Sequence, residues 1–146
     1  GAARFDPAEL DTLNARLLHA MPYEGAAARL SSMGLEGEAM WTLLRENLRK
    51  FSDIADLARL VTGPVEPVVA DEDRDFLALA KALLPPEPWD ETTWSHWTDA
   101  LKGATGRKGK ALFLPLRLAL TGRHDGPELK SLLPLVGRMA CLDRLP

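Results

Sequence analysis

Cysteine is nearly missing from this 146-residue chain: Cys141 stands alone, which excludes an internal disulfide and a multi-cysteine metal site. No apolar run approaches the roughly 20 residues that a helix needs to cross a bilayer. The first residues carry no basic and apolar leader pattern, so the expectation is a cytoplasmic protein without membrane contact. Strand signals are almost as scarce, because no run alternates with β-branched residues and the valines of 61–69 are interleaved with Pro and Gly. His19, His96 and His124 lack both the i,i+4 spacing of a helical metal pair and any cysteine nearby, which argues against a metal site. Neither a Ser/His/Asp constellation nor an internal repeat nor a low-complexity tract is legible.

What is present reads as helix, and the predicted fold class is all-α. With 46% apolar and 27% charged residues the chain has an ordinary globular composition, long enough for one domain or for two small helical subdomains. Asp6-Pro7-Ala8-Glu9 combines a capping carboxylate with a first-turn proline and glutamate. A helix is therefore predicted from Pro7, with Leu10, Leu13, Leu17 and Leu18 on one face. A short helix is predicted from Pro22 to about Leu30, followed by a break at Ser31 to Gly34. The spacing of Met40, Leu43, Leu44, Leu48 and Phe51 predicts an amphipathic helix from Glu36 to about Lys50. Ser52 is placed to cap the next, which carries Ile54, Leu57, Ala58 and Val61 and breaks at Gly63-Pro64. Pro64 to Pro67 is a connector. Asp71 to Leu84 resumes with Phe76, Leu79, Ala80 and Leu83, and the proline-rich "PPEP" at 85–88 ends it. The carboxylates crowding its start suit a helix macrodipole and point to no catalysis.

Charge is distributed unevenly. Residues 1–100 hold 9 Lys and Arg against 18 Asp and Glu, whereas residues 101–146 hold 9 against 3, although the whole chain has a net charge of −3. A basic module on an acidic body suits a polyanionic partner at one end; a solvated basic face explains the same count. Within the module, "GRKGKALFLPLRLALTGRHDGP" (106–127) sets Arg117 inside an apolar run. An unpaired guanidinium costs several kcal/mol to bury, so Arg117 requires solvent, a carboxylate such as Asp125 or Glu128, or a partner bearing acceptors.

Gly103 to Lys110 superficially resembles a phosphate-binding loop. Five residues separate Gly103 from Gly109, Ala111 stands where the magnesium-binding Ser/Thr belongs, and no strand precedes it, so nucleotide binding there is not expected. Arg107, Lys108 and Lys110 nevertheless make a basic loop suited to phosphate backbones. Trp89, Trp94 and Trp97 could stack bases, but core packing is the commoner use of such residues, and Trp94 and Trp97 share one helical face.

"GKALFLPLRLALTGRHDGPEL", followed by "LLPLVGR" and a terminal "RL", closely resembles the C-terminal anticodon-binding region of bacterial glutamyl-tRNA synthetases. "RFDPAELDTLNARLL" near the start resembles the end of their stem-contact region. The resemblance implies three parts: 1–34 as the end of the stem-contact region, 35–88 as a first anticodon-binding helical subdomain and 89–146 as the C-terminal one. It implies that Arg117 reads the first anticodon base with its planar fork. Gly126, Pro127 and Leu129 then pack around that base, and Thr121 and Gly122 close the arginine's helix. A second reader of the family, commonly arginine, aligns with Lys50 beside Arg49. Since that position distinguishes the third anticodon base, and lysine reads less sharply than arginine, the implied partners are tRNA(Glu) and also tRNA(Gln). The family's catalytic H-I-G-H-like and K-M-S-K-S-like motifs do not occur. The resemblance therefore implies the C-terminal part of a synthetase, inactive by itself and without a cofactor; ATP and Mg²⁺ belong to the intact enzyme with its N-terminal catalytic domain. The competing reading is a helical protein-interaction module with no RNA role, docking through its acidic N-terminal helices.

Overall fold

The computed structural model describes residues 19–32, 34–47 and 53–146. The predicted helix at Pro7, the cap at Ser52, and residues Arg49, Lys50 and Phe51 lie outside them. Every regular element among the described residues is helical: α1 (Tyr23–Ser32), α2 (Glu38–Arg45), α3 (Asp53–Thr62), a 3-10 turn (Asp71–Asp73), α4 (Arg74–Ala82), α5 (Thr93–Thr105), α6 (Lys110–Thr121), α7 (Leu129–Val136) and α8 (Arg138–Arg144). The chain divides after Arg59 into two compact units.

In the first unit α1 packs on α2. The break after α1 falls slightly later than the serine pair suggested, because the helix runs through Ser32 and Gly34 then turns left-handed at φ 76°. The Gly34 N–H donates to the Ser31 carbonyl at 3.0 Å and the Leu35 N–H to the Leu30 carbonyl at 2.8 Å, the bonding pattern of a Schellman stop. Helix α2 begins at Glu38 rather than Glu36, since Gly37 at φ 98° is not helical. Its Met40, Trp41, Leu43 and Leu44 are buried, as the apolar spacing requires. The Trp41 indole is fully buried and donates Nε1–H to the Met21 carbonyl at 2.7 Å.

The second unit, from Leu60 to Pro146, carries the site. Helix α5 packs against α4, α6 and α7, and α8 packs against α6 and α7. Phe76, Leu77, Trp97, Leu101, Leu112, Leu116, Leu120, Leu132 and Leu133 form the core. Trp97 is fully buried and its Nε1–H reaches the Ala80 carbonyl at 2.8 Å, which satisfies its one polar atom. The segment predicted as helix from Asp71 opens instead with the 3-10 turn. Helix α5 starts on a reciprocal cap: the Asp90 N–H donates to Thr93 Oγ1 at 3.0 Å, and Asp90 Oδ1 accepts the Thr92 N–H at 2.7 Å. The Thr92 side-chain and backbone bonds hold the Asp90 carboxyl below its usual range. Gly103, read from sequence as part of a loop, is still within α5.

Two arrangements at helix ends fix α6. Pro115, in its interior, has no N–H to offer the carbonyl of Ala111. Arg107 Nη1 donates to that carbonyl at 3.1 Å, pairs with Asp73 Oδ1 at 2.8 Å, and lies over the Phe76 ring with its guanidinium carbon 4.2 Å from the centroid. At the other end Gly122 caps α6 at φ 71°, its N–H bonded to the Leu118 carbonyl at 2.9 Å. The Leu118 carbonyl also accepts the N–H of Val68, so the 63–70 connector lies across this end. A Cβ at Gly122 would collide with the Glu66 carbonyl. Gly122→Ala therefore combines left-handed strain with a backbone clash and is expected to cost about 2 kcal/mol or more. A fall in the urea midpoint at unchanged slope checks this.

Arg144 was visible in the sequence only as part of the terminal "RL". It is 9% exposed, and Nη1 donates to the carbonyls of Leu60 at 2.6 Å and Leu120 at 3.1 Å, while Nη2 reaches that of Val61 at 3.3 Å. These carbonyls belong to the last turns of α3 and α6, where a cation opposes the helix dipoles. Beside it, burial pushes the Cys141 thiol up to about 12, with Arg144 pulling the other way, so this cysteine stays protonated near neutral pH.

Candidate functional site

Arg117 lies in the third turn of α6, and the chain beyond that helix folds back on it. Thr121 Oγ1 donates to the Arg117 carbonyl at 2.8 Å and accepts the Arg123 N–H at 3.1 Å, which sets the turn. Gly126, at φ 134°, then passes beside the guanidinium; a Cβ there would stand 3.6 Å from Nη1. Arg117 Nη2 donates to the carbonyl of the buried Pro127 at 3.1 Å. Nη1 is buried and has no hydrogen-bond partner among the described residues.

Burial lowers the Arg117 pKa while the nearby Asp125 charge raises it; arginine remains protonated under either influence. Neither Asp125 nor Glu128 comes within ion-pair distance. Glu128 instead approaches Lys130 at 3.8 Å, an exposed contact of little energetic weight. The intramolecular pairing that the sequence left open is thus not made, and the buried Nη1 stays unpaired among the described residues.

A cleft of about 570 Å³ opens at this point, within the range of ligand sites. Trp94, Phe113, Leu114 and Leu129 supply its apolar lining, and Lys110, Arg117 and Lys130 its cations, with His124 and Glu128 also bordering it. Of the residues singled out from sequence, Arg117, Leu129 and Lys110 meet in this cleft, and Gly126 and Pro127 touch the guanidinium. Lys108 is exposed in the 106–109 loop. Arg107 is committed to Asp73 and the Ala111 carbonyl. Arg49 and Lys50 lie outside the described residues.

Trp94, Phe113, His124 and Lys130 were not among the expected site residues. Trp94 was assigned to the core; Trp97 fills that role, while Trp94 is half-buried and stands edge-on to it with centroids 5.8 Å apart. Phe113 carried a usable signal. The buried face of α6 runs through Leu112, Pro115, Leu116, Ala119 and Leu120, and Phe113 falls off it.

An all-helical scaffold presenting a cationic cleft with aromatic walls is chemically suited to a nucleic-acid ligand. The comparison of sequences is specific: residues 13–146 match the family described as anticodon binding domain, and the chain belongs to that family. It is 61% identical over 143 residues to glutamate–tRNA ligase 1 of Parvibaculum lavamentivorans, covering 97% of this chain and 31% of that protein. Over 146 residues it is 57% identical to glutamate–tRNA ligase 2 of Methylobacterium sp. (strain 4-46), covering 98% of this chain and 32% of that one. The fold is similar to part of the crystal structure of glutamate-tRNA synthetase from Elizabethkingia anophelis, with a TM-score of 0.76, 18% identity, and coverage of 99% of this chain and 32% of that one. The chain thus spans about a third of the length of these relatives. No helix among the described residues is long and apolar enough to cross a membrane.

Proposed function

We propose that this chain is the anticodon-binding portion of a glutamate–tRNA ligase, gripping tRNA(Glu) so that a catalytic domain can charge its acceptor end. The observation that carries the proposal is the Arg117 fork: held by Pro127, bordering a cationic cleft, and with Nη1 lacking an acceptor among the described residues. A guanidinium in that state suits the edge of a splayed base, which offers acceptors in one plane. Gly126, Pro127 and Leu129 shape the pocket around that base, and Lys108 and Lys110 serve the phosphate backbone. Arg107 acts from inside, holding the loop and the first turn of α6. Arg49 and Lys50 are proposed to face the third anticodon base, and Lys50 gives tolerance of tRNA(Gln). Anticodon contacts would help orient the acceptor end for glutamate transfer.

The test is titration of the chain with unmodified tRNA(Glu) at two salt concentrations. Affinity is expected to fall steeply with salt, since phosphate neutralisation releases counterions. It should drop further when the first anticodon base is changed, and little when the third base is changed from cytosine to guanine. A folded protein with salt-insensitive, base-indifferent affinity would instead support the protein-interaction reading. A large loss on the third-base change alone would remove tRNA(Gln) from the proposal.

A further inference from the structure

Phe113 is unusual on α6. It sits in the helix's first turn, 37% exposed, although the apolar face of the helix is satisfied without it. Of the described residues only Val68 and Met139 are comparably large, apolar and exposed. Its ring borders the cleft and lies 6.0 Å from the Trp94 ring at an interplanar tilt of 35°. Trp94 is in turn backed edge-on by Trp97, whose side chain is fully buried and tied to the Ala80 carbonyl. The two cleft-facing rings therefore stand on a fixed base. The ammonium of the half-exposed Lys102 lies 5.5 Å from the Phe113 centroid, a weak contact that a flat ligand could replace.

We propose that Phe113 and Trp94 form a stacking platform for one unstacked nucleobase, holding its face while Arg117 meets its edge. The inference rests on the anticodon-binding reading above and names the two residues that give the pocket affinity for a base of any identity. The chemistry favours a nucleotide over an apolar peptide side chain. Lys110 and Lys130 border the same cleft, so a ligand that places an aromatic plane against the rings and an anion beside them uses both features. Stacking and edge reading then divide the work: the platform captures a base, and Arg117 selects which one.

The experiment pairs two proteins with two RNAs. The full chain and its Phe113→Leu variant are titrated with tRNA(Glu) and with the same tRNA made abasic at the first anticodon position. Leucine keeps an apolar side chain at an exposed site, so folding should be retained. Phe113→Leu is expected to weaken intact tRNA by about five-fold to 150-fold, the usual effect of losing one stacked base, and to leave the abasic tRNA unchanged. Trp94→Leu should act in the same way, and the tryptophan quenching that accompanies binding of intact tRNA should disappear with it. Equal affinity of wild type and Phe113→Leu for intact tRNA overturns the proposal. So does an equal loss on both RNAs, which would make the ring merely structural. If the wild-type chain binds neither RNA in a salt-dependent way, the anticodon-binding reading itself falls and carries this inference with it.

Discussion

Replacing Arg144 by methionine is expected to remove about 3–5 kcal/mol of stability and to lower the melting temperature by on the order of 10 °C. The guanidinium bonds three main-chain carbonyls, those of Leu60, Val61 and Leu120. All three lie at helix C-termini, where no further turn supplies a donor. Methionine fills much of the same space but donates nothing, so each carbonyl must find water or remain unpaired in a buried site, at about 1–3 kcal/mol apiece before relaxation. Lysine offers a point charge in place of the fork and should recover part of the loss. Differential scanning calorimetry on the three proteins measures this. A shift of only a degree or two for Arg144→Met would mean that solvent already reaches these carbonyls.

Arg117→Ala is expected to do the opposite: little change in stability and a large change in recognition. Among the described residues the Arg117 fork has one bond, to Pro127, and one buried nitrogen without an acceptor. Its removal therefore gives up about 1 kcal/mol of hydrogen bonding while relieving a desolvation cost of similar size. Recognition has no such offset. A bidentate contact between arginine and a base edge discriminates by about 1–3 kcal/mol, or about five-fold to 150-fold. The variant should bind tRNA(Glu) that much less tightly and no longer respond to a change of the first anticodon base. Arg117→Lys should keep part of the affinity and little of the preference. Dissociation constants at one fixed salt concentration decide the matter. If Arg117→Ala discriminates as well as the native chain, the reader is another residue of the cleft.

Among the described residues, the helices were legible where an apolar stripe and a breaker coincide. Met40, Leu43 and Leu44 marked α2, Phe76 and Ala80 marked α4, and all five are buried. Gly63-Pro64 and "PPEP" ended their helices where proline chemistry requires. Gly103 misled because glycine is a weak breaker: it is exposed, nothing stands within 4 Å of its would-be Cβ, and α5 runs on to Thr105. The roles of Arg107 and Arg144 could not be read at all. Their acceptors are mostly backbone carbonyls, which every residue has and no residue letter announces; for Arg144 one of them is 84 positions away. Arg117 was legible for the converse reason, since a lone charge in an apolar run is an anomaly on the page. The aromatic wall was half-visible, with Trp94 noted but given to the core and Phe113 hidden inside a run of leucines.

The bond from Arg107 to the Ala111 carbonyl has a further bearing on how this chain can drift over generations. Pro115 creates a vacancy in the helix ladder that Arg107 fills, and Asp73 neutralises the arginine so recruited. The three positions are therefore physically coupled. Exchanging Pro115 for a residue with an N–H would remove one of the three contacts of Arg107, leaving those to Asp73 and the Phe76 ring. In the reverse order, losing Arg107 first leaves the exposed Ala111 carbonyl to water and the partly buried Asp73 without its cation, so the cost falls on the ion pair rather than on the helix ladder.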